Sequence, residues 1–186
     1  MPDVSVPPLA DAAHAALPRI ALVLGGARSG KSRFAETLAM SAGGKAIYLA
    51  TAEQRDAEMA ARIAAHRARR GAAWTTVEEP VELVNRLLEL SDGAAPVLVD
   101  CLTLWLANLL EGRRDIGFEI ERLLAVLPQM KAPVVLVANE VGLGIVPDNA
   151  LARSFRDQAG RLNQAVAASA DRVVFMAAGL PLALKG

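Results

Sequence analysis

Five short apolar runs punctuate the chain: Arg19 to Leu24, Ala46 to Ala50, Pro96 to Val99, Pro133 to Ala138 and Arg172 to Ala177. Each has the length of a strand buried on both faces. Between them lie longer segments whose apolar positions mostly fall three and four apart: Ser32 to Met40, Ala57 to Arg70, Val81 to Leu90, Leu102 to Glu111, Phe118 to Met130 and Ala150 to Ala170. That spacing gathers apolar side chains on one helical face. Strand-length runs alternating with helix-length segments require crossovers, which predicts an α/β fold with a mostly parallel sheet flanked by helices. Trp74 to Val77 is a candidate edge strand, and no internal repeat or low-complexity tract interrupts the pattern.

A chain of 186 residues suits one ordinary domain. We place it at residues 19–186, with residues 1–18 as a loosely held extension. The hydrophobic fraction is 53% and the aromatic fraction 4%, so the core is built from Ala, Leu, Val and Ile rather than from rings. Twenty basic and twenty acidic side chains cancel, which removes any global electrostatic case for a nucleic-acid or anionic-membrane partner. The lone Cys101 follows an apolar run and reads as a small buried hydrophobe in a reducing cytoplasm. Met1 to Leu17 lacks the basic and apolar regions of a signal peptide, and Cys101 to Leu110 is too short to span a bilayer.

Directly after the first apolar run, Gly25-Gly26-Ala27-Arg28-Ser29-Gly30-Lys31-Ser32 satisfies G-x-x-x-x-G-K-[ST], the Walker A pattern. The chemistry dictates the residue types. Glycines let the backbone curl so that successive N–H groups face one anion-sized hollow, and the following helix adds its positive end. Lys31 is placed to reach the outer phosphates, and the Ser32 hydroxyl to ligate Mg²⁺. A metal held this way needs an acidic partner at the end of another buried strand, and Pro96-Val97-Leu98-Val99-Asp100 supplies one. Alone, Asp100 reads equally well as the N-cap of the helix from Leu102; joined to the phosphate loop, the metal role is preferred.

The phosphate loop and Arg33, followed by Tyr48-Leu49-Ala50-Thr51-Ala52 and by Glu58-Met59-Ala60-Ala61-Arg62-Ile63 with His66-Arg67, resembles the bifunctional adenosylcobinamide kinase / adenosylcobinamide-phosphate guanylyltransferase family. Asn139-Glu140-Val141-Gly142-Leu143-Gly144-Ile145-Val146-Pro147 and Phe155-Arg156-Asp157-Gln158-Ala159-Gly160-Arg161-Leu162-Asn163-Gln164 look like two further blocks of it, in the same order. The resemblance extends from about Ile20 to the C-terminus. It implies a RecA-like P-loop NTPase sheet, a homotrimer, and two activities in cobalamin biosynthesis. Adenosylcobinamide is first phosphorylated by ATP or GTP. GMP from GTP is then carried on a histidine to adenosylcobinamide phosphate, giving adenosylcobinamide-GDP.

On this resemblance the histidine is His66, and Ala50, Thr51, Ala52, Arg67, Ala68, Arg69, Arg70, Glu78 and Asp100 line the guanine nucleotide site. Many members carry Glu where Asp100 stands, and some carry two adjacent histidines where this chain has Ala65-His66. If Ala57 to Arg70 is a helix, Glu58, Arg62, His66 and Arg70 share one face. Guanidinium groups there favour a neutral imidazole with a lone pair for the α-phosphorus of GTP, and they can offset charge on departing pyrophosphate. A lone His among arginines also reads as solvated surface, as do Arg67, Arg69 and Arg70 themselves.

Phosphoryl transfer needs mainly positioning and charge neutralisation, which Lys31 and Mg²⁺ supply. Glu140 is a candidate base for the acceptor hydroxyl or a structural cap. The loop from Val141 to Asn149 presents Leu143, Ile145 and Val146 to the corrin or to a neighbouring subunit. A single-activity small-metabolite kinase would leave His66 structural. A regulatory GTPase would carry Asn-Lys-x-Asp, which follows none of the five asparagines.

Overall fold

The structure, a computed structural model, describes residues 17–53 and 71–186. The expected extension up to residue 16, the predicted helix Ala57 to Arg70 and its His66, Arg67, Ala68, Arg69 and Arg70 lie outside the described residues.

The apolar runs form β1 (Ile20–Gly25), β2 (Ala46–Ala50), β4 (Val97–Asp100), β5 (Val134–Asn139) and β6 (Arg172–Ala177), and the candidate edge strand is β3 (Trp74–Glu78). They join one seven-stranded sheet in the order β3-β2-β4-β5-β1-β6-β7. All pairs are parallel except the last, where β7 (Leu180–Lys185) runs antiparallel to β6. The helices are α1 (Lys31–Met40), α2 (Leu83–Leu90), α3 (Leu102–Glu111), α4 (Ile116–Val126) and α5 (Ala150–Ser169).

Burial on both faces explains why the strands read as unbroken apolar runs. Ile20, Leu22 and Leu24 of β1 face one core with Leu87, Trp105, Leu123 and Val166, whereas Ala21 and Val23 face a second core with Phe34 and Leu38 of α1. The first core is closed by α2, α3, α4 and α5. Trp105 is fully buried there, and its indole N–H donates to Val81 O at 2.9 Å. Buried Glu119 of α4 accepts from Arg114 at 2.6 Å and from Arg122 at 3.0 Å, and Arg114 also reaches Glu82 beside α2. Paired in this way, a buried carboxylate is tolerated.

Most boundaries fall within one or two residues of the sequence pattern, and the largest differences are in α4. The helix expected at Phe118 to Met130 starts at Ile116, because Asp115 caps it by accepting from Phe118 N at 3.1 Å. It gives way to a 3₁₀ turn at Leu127–Gln129, where Pro128 removes an amide and disfavours the helical conformation of the residue before it. The strand β7, absent from the sequence reading, is an edge strand with mostly exposed side chains.

Candidate active site

A parallel sheet sends every strand's carboxyl end to one edge, and ligands of open α/β sheets gather there. The phosphate loop leaves that edge after β1. Gly25 has φ 151° and Gly30 φ 98°, and Arg28 also takes a left-handed turn conformation at φ 55°. An added Cβ at Gly25 would lie 2.4 Å from Met176 O of β6 and 2.7 Å from Ser29 Oγ, so only glycine fits this approach. The turn between β6 and β7 packs on the loop from outside: Gly179 N donates to Ser29 O at 3.0 Å. Ser29 Oγ is buried without a hydrogen-bond partner among the described residues.

Lys31 opens α1 and is buried, with Nζ donating to Gly26 O at 2.6 Å. Burial pushes its pKa below that of an ordinary lysine, while the nearby Cys101 and Asp100 work in the opposite direction. Ser32 Oγ donates to Asp100 Oδ2 at 3.0 Å, so the two residues chosen from sequence for the metal meet in space. A hydroxyl and a carboxylate are hard oxygen donors of the kind Mg²⁺ takes, and a donated Ser32 proton leaves the hydroxyl's lone pairs for the ion. The residues fit Mg²⁺. Asp100 does not cap α3: the N-cap position is Cys101, with no side-chain cap.

Ala50, Thr51, Ala52, Glu78 and Asp100 also converge, because β2 pairs with both β3 and β4 and sets Ala50 opposite Glu78 and Asp100. Within this group Thr51 is fully buried. Its N–H donates to Asp100 O at 3.1 Å, and its hydroxyl donates to Cys101 O at 2.7 Å and accepts from Cys101 N at 2.8 Å. Asn108 Nδ2 of α3 donates to Thr51 O at 2.9 Å and to Pro80 O at 2.8 Å, tying together the segments that follow β2 and β3. Thr51 thus anchors this wall, while half-buried Ala50 and Ala52 and exposed Glu78 form its surface.

Glu140 joins the same edge through its backbone, N donating to Gly25 O at 3.0 Å, and its carboxylate accepts from Gly142 N at 2.5 Å. The loop beyond it exposes Leu143 (81%) and Ile145 (98%). It is tied down where Arg153 Nη1 donates to Pro147 O at 2.9 Å and Asp148 O at 2.6 Å.

Sequence reasoning assigned no role to Tyr48 or Asn108. The chain's single tyrosine in an Ala/Leu strand and a polar residue inside the apolar helix α3 were the available signals.

Comparison with solved structures places this arrangement in a known fold. RadB recombinase aligns with a TM-score of 0.53 at 18% identity, covering 86% of this chain and 74% of that one. Flagellar accessory protein FlaH from Methanocaldococcus jannaschii aligns with a TM-score of 0.53 at 12% identity, covering 98% and 86%. The fold is a P-loop NTPase fold with a mostly parallel sheet. Sequence relatives are much closer. The bifunctional adenosylcobalamin biosynthesis protein CobP of Pseudomonas aeruginosa is 50% identical over 167 residues, 89% of this chain and 96% of that protein. The corresponding CobU of Salmonella typhimurium is 43% identical over 182 residues, 88% and 98% of the two chains. The family model described as cobinamide kinase / cobinamide phosphate guanyltransferase (CobU) matches residues 21–184, and the chain belongs to that family.

Proposed function

We propose that this chain phosphorylates adenosylcobinamide with ATP or GTP and then converts adenosylcobinamide phosphate to adenosylcobinamide-GDP, with GMP carried on His66. The observation that carries the reading is the Ser32–Asp100 pair at the mouth of the phosphate loop, in a chain whose family is named for both reactions. In the kinase step the substrate hydroxyl oxygen bonds to the γ-phosphorus, the bond to the β-phosphate oxygen breaks, and the hydroxyl proton leaves to a base, for which Glu140 is the candidate. Backbone amides from Gly25 to Ser32 and the Lys31 ammonium hold the phosphates and offset the charge that grows on the transferring group. Ser32 and Asp100 would hold Mg²⁺, whose charge would offset that of the phosphate oxygens.

In the second step an imidazole nitrogen of His66 bonds to the α-phosphorus of GTP and pyrophosphate leaves. A phosphate oxygen of adenosylcobinamide phosphate then displaces the imidazole. Ala50, Ala52, Glu78 and Asp100, with Arg67, Ala68, Arg69 and Arg70, line the guanine nucleotide site, and Thr51 supports it from beneath. Residues 19–186 act as one catalytic domain, with residues 1–18 an extension of it. The protein works as a cytoplasmic homotrimer, without a nucleic-acid partner. No helix among the described residues is long and apolar enough to cross a membrane.

Incubation with α-labelled GTP and Mg²⁺, without corrinoid, is expected to release pyrophosphate in a burst and label the peptide containing His66. A phosphoramidate survives alkali and breaks in acid, because protonating its nitrogen makes neutral imidazole the leaving group. Labelling at His14, or no adduct from folded protein, would sink the histidine mechanism and favour a single-activity kinase.

A further inference from the structure

Asp100 is held by more than the phosphate loop. Tyr48, in the middle of β2, donates its phenolic O–H to Asp100 Oδ2, the oxygen that also accepts from Ser32 Oγ. The parallel register makes this reach possible: Ala50 lies opposite Asp100 and Tyr48 opposite Leu98, so the phenol and the carboxylate project from the same face of neighbouring strands. Tyr48 is buried, and its ring stands edge-on to Trp74 of β3, with centroids 5.9 Å apart at 79°. Both donors converge on Oδ2, and among the described residues none is directed at Oδ1.

We propose that Tyr48 is a positioning residue for the metal–nucleotide complex, fixing the plane of the Asp100 carboxylate so that Oδ1 stays open to Mg²⁺ or to its water shell. The inference rests on the reading in which Ser32 and Asp100 serve Mg²⁺. A carboxylate turns freely about its Cβ–Cγ bond unless its oxygens are held. Ser32 cannot hold it alone, because that hydroxyl is also asked to ligate the ion. A phenol suits the second position because it donates one strong hydrogen bond without cancelling the negative charge that attracts the cation. A lysine or arginine there would orient Asp100 and neutralise it together.

Tyr48→Phe keeps the ring against Trp74 and removes only the O–H. Binding of a non-hydrolysable GTP analogue is measured by calorimetry with Mg²⁺ and with EDTA. In the variant the tightening conferred by Mg²⁺ is expected to shrink about ten-fold, the weight of a hydrogen bond to a charged group. EDTA binding should match wild type. In kinase assays the half-saturating Mg²⁺ concentration should rise while kcat at saturating Mg²⁺ stays near wild type. In an Asp100→Asn background the same change should add nothing to the loss, because Tyr48 acts through Asp100. Trp74→Leu, which removes the ring contact and leaves the O–H, should retain the Mg²⁺ dependence. Equal weakening with and without Mg²⁺, full additivity with Asp100→Asn, or the same loss in Trp74→Leu would assign Tyr48 to packing and overturn the inference. An unchanged Mg²⁺ response in Tyr48→Phe overturns it as well. Binding by the wild-type protein that ignores Mg²⁺ would instead overturn the metal role of Ser32 and Asp100, and this inference with it.

Discussion

Lys31 and Cys101 share one corner of the site, and burial acts on them in opposite directions. For Lys31, desolvation favours the neutral amine, so the free protein gives up this proton at a lower pH than an exposed lysine would. A bound triphosphate places negative charge beside the ammonium and raises its pKa again. Nucleotide binding should therefore take up protons at alkaline pH, below the range where an exposed lysine titrates and where the phosphates are already fully ionised. Affinity should fall as pH rises through the pKa of the free protein. Calorimetry in two buffers of different protonation enthalpy measures the uptake, which Lys31→Ala should abolish together with most of the kinase turnover. An undiminished uptake in that variant would place the proton elsewhere. For Cys101, burial and then the Asp100 charge push the thiol up to about 12, so at neutral pH it carries its proton and is no nucleophile. Iodoacetamide should leave the native protein almost unmodified and alkylate it readily in urea; rapid native labelling would contradict that burial.

Among the elements, the junction of β1, the phosphate loop and the β6–β7 hairpin leaves least room for change. Gly25→Ala must displace either Met176 O or the loop and also strain a positive φ, which costs about 1–3 kcal/mol for each effect. Gly26→Ala meets no atom within 4 Å. Urea titration should show Gly25→Ala clearly destabilised and Gly26→Ala close to wild type, although both occupy glycines of one motif. Similar losses in the two would mean that motif membership, not space, sets the cost. The motif was legible because its glycines, lysine and serine must be local in sequence. The strands were legible because two-sided burial writes itself as short apolar runs. β7 was not, because Leu180, Leu182 and Leu184 are exposed and carry no burial pattern. Its existence is set by the turn at Ala178 and Gly179, φ 51° and 82°, which matches the twist of a tight hairpin.

For the molecule as a whole, the sheet order brings the ends of β1 and β4 close enough for Ser32 to bond Asp100. Asp100 could be picked from sequence, since an acid closing an apolar run is a local signal. The Tyr48 and Asn108 contacts could not, because they depend on which strands are neighbours and in what register. The two proposed reactions differ in the chemistry they ask of the chain. The loop, Lys31, Ser32, Asp100 and Tyr48 form one connected cluster built from β1, α1, β2 and β4, and phosphoryl transfer to a hydroxyl needs no covalent intermediate. His66 falls in none of these sequence segments and lies outside the described residues. His66→Ala should therefore leave adenosylcobinamide phosphorylation within a few-fold of wild type and abolish guanylyl transfer, so that adenosylcobinamide phosphate accumulates when corrinoid, ATP and GTP are supplied together. Lys31→Ala should stop the sequence one step earlier, with little phosphorylated corrinoid formed. Chromatography of the corrinoid products reads both outcomes in one assay, and a melting curve shows that each variant is folded. If folded His66→Ala protein loses both activities, the imidazole serves a site common to the two reactions. If it retains guanylyl transfer, GMP passes directly from GTP to the corrinoid phosphate in a single displacement.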